Sequence, residues 1–125
     1  MNTGVSRFLK FAIYAQQQDR FQDLEGEERI KALGIMSELA VELRDPEVLS
    51  GSLEMVAAEL SQSSSASESE ELMKMMENMI AVTDDPQVRK NTLDQILGDF
   101  KKLHRNRDLR PQMFRLIAQI KVGML

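Results

Sequence analysis

Asp45-Pro46-Glu47-Val48 and Asp85-Pro86-Gln87-Val88 stand 40 residues apart, and each closes one helical apolar pattern and opens another. Asp accepts hydrogen bonds from the free N–H groups of a helix's first turn, and Pro at the first helical position has no donor to leave unpaired. One such cap is common. Two in the same register mark a duplicated helix-turn-helix unit. Residues 33–60 slide onto 73–100 without a gap, with identity at Met36/Met76, Asp45/Asp85, Pro46/Pro86, Val48/Val88 and Leu53/Leu93. Apolar character also persists at Ile35/Met75, Leu39/Met79, Val56/Ile96 and Leu60/Phe100. Packing positions are kept while surface positions drift.

The run Asp85-Pro86-Gln87-Val88-Arg89, followed by Leu93, Ile96, Leu97 and Gly98, resembles a HEAT-type helical repeat across roughly residues 27–104, with Leu49 in the slot of Arg89 in the first copy. The resemblance implies a binding scaffold and carries over no catalytic residues. The expected architecture is all-α in a single domain over 1–125, a short HEAT-like stack or a compact bundle.

Six helices are expected, at about 4–19, 24–43, 46–60, 68–83, 86–103 and 109–122, from apolar residues recurring at helical spacing. The Ser-rich stretch 61–69 reads as a mobile loop, with Ser67 and Glu70 forming a capping box for the fourth helix. That helix carries a methionine stripe, Met73, Met76 and Met79. Flexible thioethers serve ordinary cores and plastic binding grooves alike, so the three residues are candidate contacts for an apolar partner helix.

A chain of 125 residues is long enough for one core without a staple, and the absence of cysteine excludes disulfides, thiolate metal sites and cysteine nucleophiles. A reducing, cytoplasmic setting is expected. No apolar stretch approaches the roughly 20 residues of a membrane span. Arg7 and Lys10 flank an apolar run near the N-terminus, for which a helix packed on the first repeat is the plainer reading than a membrane anchor.

Residues 20–88 carry 5 basic and 16 acidic side chains, whereas residues 89–125 carry 9 basic and 3 acidic. The molecule is polarised into an acidic body and a basic C-terminal third. Lys101, Lys102, Arg105, Arg107 and Arg110 gather beside the sole histidine, His104. Cations at a helix C-terminus oppose its dipole and solubilise a turn. Alternatively they contact an acidic protein segment or another copy of the chain. Nucleic acid is less favoured, because no aromatic interleaving accompanies the charge.

No catalytic, cofactor or metal motif is legible. His104 is a lone histidine in a basic run, which makes it a poor general base, and the serines lack a nucleophile elbow. The expectation is a non-catalytic protein-interaction module acting as adaptor, assembly factor or regulator. The rivals are a nucleic-acid-associated regulator and a self-assembling structural subunit.

Overall fold

A computed structural model describes residues 3–125, with side chains from Ser6 onward, and the described residues form seven helices and no strand. They are α1 (Thr3–Phe21), α2 (Gly26–Leu43), α3 (Pro46–Gln62), α4 (Ala66–Ile80), α5 (Pro86–Gly98), α6 (Phe100–Arg105) and α7 (Arg110–Val122). The fold is an all-α helical bundle.

The two Asp-Pro caps form in matching positions. Asp45 accepts from the backbone N–H of Glu47 and Val48, Asp85 from that of Gln87, and both Asp backbones are extended. Burial follows the duplication at Leu33/Met73, Met36/Met76, Ala40/Ile80, Leu53/Leu93 and Val56/Ile96, where both members are buried. It fails at Ala57/Leu97, where Ala57 is buried and Leu97 is 47% exposed.

That failure coincides with a break. The fifth helix expected over 86–103 stops at Gly98, and Asp99 leaves the helical region at φ −97°, ψ 6° before α6 resumes. Gly98 is the weakest helix former available there short of Pro. Asp99 is held across the bundle by the Ser61 hydroxyl, which donates to it at 2.7 Å.

The expected Ser-rich loop is also much shorter than 61–69. Helix α3 runs on through Gln62, and α4 begins at Ala66. Ser65, rather than Ser67, is the cap, and its hydroxyl accepts from the Glu68 N–H. Two more serines are consumed locally: Ser69 Oγ donates to Ser63 Oγ, which donates to the Ser65 carbonyl, while Ser64 and Ser67 are exposed. Hydroxyls satisfied in this way need no solvent, so Ser63 and Ser69 are buried.

Helices α1, α2, α4 and α7 are successive neighbours in one row, while α3 and α5 pair in a second. Helix α3 bridges α2 and α4, and α7 bridges α4 and α5. Helix α4 is therefore central, and its apolar side chains and those of α2, α3 and α7 fill one continuous core.

Candidate functional site

The methionine stripe is core. Met73, Met76 and Met79 are each 0% exposed, so the groove expected for an apolar partner helix is absent from this face. The cause is position: α2, α3 and α7 cover α4 from three sides and leave residues such as Lys74 and Asn78 to solvent. Burying each methionine contributes about 1.5–3 kcal/mol, which a partner would forfeit by opening the helices.

The five candidate cations divide by what their nitrogens meet. Lys102 reaches back across the bundle, and its Nζ donates to the carbonyls of Leu60, Ser61 and Ser63, closing the C-terminal end of α3. Arg110 is half-buried and donates from Nε to the His104 carbonyl at 2.6 Å, tying α7 to α6. Lys101, Arg105 and Arg107 are exposed, and among the described residues none of them has a carboxylate within ion-pair distance. Two of the five thus hold the fold, and three face outward as a surface without an ion pair, with exposed Asp108 as the carboxylate in the same turn.

Rings accompany that surface, contrary to the expectation of bare charge. Phe100 and His104, one helical turn apart, stack with centroids 5.3 Å apart and planes inclined by 19°. Phe114 from α7 stands edge-on to both, at 6.1 Å from Phe100 and 6.2 Å from His104. Half of Phe114 is open to solvent. The spacing of Phe100 and His104 was a readable signal for adjacent rings. Phe114 reaches them only through tertiary packing. Edge-to-face geometry suits the quadrupoles of the rings and fixes Phe114 in place.

A second surface is concave. A cleft of about 520 Å³ lies between α2 and the start of α4, with Ile30, Gly34 and Met75 among its apolar lining and Glu27, Glu68 and Glu71 among its polar lining. Lys31 also lines it but pairs with Glu28 at 3.8 Å. A third surface is convex: Phe8, Leu9 and Ile13 on α1 are 70%, 54% and 44% exposed. The nearby cations turn inward, with Arg7 donating to the Leu43 carbonyl and Lys10 pairing with Glu42. Among the described residues no helix is long and apolar enough to cross a membrane, and no three His, Asp or Glu side chains gather as a metal site.

No protein-family model, curated protein or solved structure matches this chain.

Proposed function

We propose that the chain is a non-catalytic protein-interaction module, an adaptor, assembly factor or regulator built as a short HEAT-like stack, whose α6–α7 end docks an acidic segment of a protein partner. The observation that carries this reading is the contrast among the cations. Lys102 and Arg110 are spent on backbone carbonyls, while Lys101, Arg105 and Arg107 stand exposed on the same α6–α7 end as the half-open ring of Phe114. Cations with a neighbouring aromatic anchor supply both halves of a docking contact: carboxylates meet the charges, and an apolar side chain covers the ring. A cytoplasmic setting belongs to the same reading, since a chain without cysteine forgoes nothing in a reducing compartment.

Titration of a fluorescent Glu-rich peptide at low salt tests it. The double substitution Arg105→Glu and Arg107→Glu should weaken binding by about tenfold or more, equivalent to about 1.4 kcal/mol. Unchanged affinity at low salt would end the proposal.

One observation favours the nucleic-acid alternative: a half-exposed ring and exposed cations share the α6–α7 end, and single strands are held by stacking bases on rings and neutralising phosphates. Single-stranded oligonucleotide binding with a steep logarithmic salt slope, lost with Phe114→Ala, would move the function there.

A further inference from the structure

The acidic cleft and the basic, ring-bearing end are complementary in charge and in relief. The cleft offers the carboxylates of Glu27, Glu68 and Glu71 around an apolar floor, and none of the three has an ion-pair partner among the described residues. The basic end offers exposed Lys101 and Arg105 on α6 and Arg107 in the turn after it, together with the half-exposed Phe114 of α7, whose ring stands edge-on to His104 of α6. Charges of opposite sign on separate faces attract over about 10 Å at ordinary ionic strength.

Within one molecule the two surfaces do not meet. The cleft opens on the α2 side of α4, whereas α7 is fixed to the other side. Gln112 donates to the Glu70 carbonyl at 2.9 Å, Gln119 to the Glu77 carbonyl at 3.1 Å, and Arg115 pairs with the Glu77 carboxylate at 2.9 Å. Helix α4 thus stands between them, so their complementarity is available only to another molecule.

We infer that this molecule is a second copy of the chain: the α6–α7 end of one copy seats Phe114 in the α2–α4 cleft of the next, with Arg105 and Arg107 against the cleft carboxylates. The volume of about 520 Å³ admits a phenyl ring with room for its neighbours. Gly34 keeps the floor open; a Cβ there would stand 3.6 Å from the Met75 methyl, an ordinary contact, so a larger side chain would grow into the cleft without strain. Because the two surfaces differ, the contact is heterologous: one molecule of a pair keeps its cleft free and the other its basic end, so the pair carries one free face of each kind. Association therefore runs past the dimer, to a ring or an open chain.

This inference rests on the reading of the α6–α7 end as a carboxylate-docking surface, and sedimentation of nuclease-treated protein separates the two. At low salt the weight-average mass of the wild type should rise by about twofold or more with concentration, and return to the monomer value near 1 M salt, where the Debye length is about 3 Å. Gly34→Leu blocks the cleft without changing charge, and the Arg105→Glu, Arg107→Glu double variant reverses the docking face. Each alone should stay monomeric. Mixed in equal amounts they should stop at a dimer, because one intact face survives on each partner. A wild type that stays monomeric at low salt, or association indifferent to both variants, would overturn self-assembly. A monomer that still binds the Glu-rich peptide through Arg105 and Arg107 would leave the adaptor reading intact while this inference fails.

Discussion

Arg89 is the charged side chain on which two helix ends converge. Its Nε and Nη2 donate to the carbonyls of Thr83 and Ile80 at the end of α4, and Nη1 donates to those of Gln119 and Ile120 near the end of α7. A guanidinium that is 7% exposed, with no carboxylate partner, is held by the negative ends of two helix dipoles. Its counterpart in the first copy, Leu49, is buried by contact alone, because α2 continues to Leu43 and turns through Arg44 in the left-handed region at φ 52°. Arg89→Ala orphans several carbonyls and should cost about 3 kcal/mol, read as a lower urea midpoint at unchanged slope. The close approach also explains Gly123. A Cβ at that position would overlap the Arg89 guanidinium, although φ is an ordinary −72°. Gly123→Ala should therefore cost about 1–2 kcal/mol alone and nearly nothing in the Arg89→Ala background. A second residue ties α1 to the bundle: the buried Tyr14 hydroxyl lies 2.6 Å from Ser52 Oγ. Burial raises the Tyr14 pKa above its ordinary 10.0, opposed in part by the Ser52 hydrogen bond. With the folded value raised, the protonated form is favoured in the native state. Its contribution is complete below pH 10.0 and is lost as pH rises through the folded value. Tyr14 is the only tyrosine, so near-ultraviolet absorbance follows its titration alone. Above pH 10.0 the wild type should lose stability more steeply than Tyr14→Phe.

Among the elements, α6 shows how a surface cation becomes structural. Its six residues are too few to be stable alone, yet Lys102 spans to the last turn of α3 and supplies the carbonyl partners that helix end lacks. Lys102→Ala should lower stability by about 1–2 kcal/mol, whereas Lys101→Ala on the exposed side should change it by less than about 0.5 kcal/mol. Equal effects in thermal or urea melts would contradict this division of roles. The same contrast marks what a one-dimensional reading can reach. Both Asp-Pro caps, and the paired burial of Met36 with Met76 or Val56 with Ile96, were legible because caps and apolar spacing act within a few residues. Lys102 could not be told from Lys101, since its three acceptors lie 39 to 42 residues away. The stretch 61–69 looked too polar to order, yet Ser61, Ser63 and Ser69 make hydroxyl contacts there that composition does not reveal. Phe114 joined the candidate site for a similar reason: α7 packs on α6 and delivers a ring to a surface whose charges are local in sequence.

At the scale of the whole molecule, one row of neighbours runs α1 on α2, α2 on α4 and α4 on α7, with α3 packed on both α2 and α4 and α5 joining α7 to α3. A single cooperative core would open all at once, but a row of nearest neighbours opens most easily from an end that packs on one neighbour only. Helix α1 is that end. It packs on α2, leaves Phe8 and Leu9 in water, and reaches α3 through the Tyr14–Ser52 hydrogen bond. The α7 end is different, because α7 contacts α4, α5 and α6 and Arg89 joins its last turn to the end of α4. Native-state hydrogen exchange should accordingly show α1 amides exchanging through a sub-global opening, while α4 amides exchange only with global unfolding. Tyr14→Phe should lower α1 protection by about fivefold, the effect of about 1 kcal/mol, and leave α4 nearly unchanged. Arg89→Ala should do the opposite, lowering protection in α4 and α7 together. A uniform loss across all helices in both variants would show one indivisible bundle, and the separate opening of α1 would then fail.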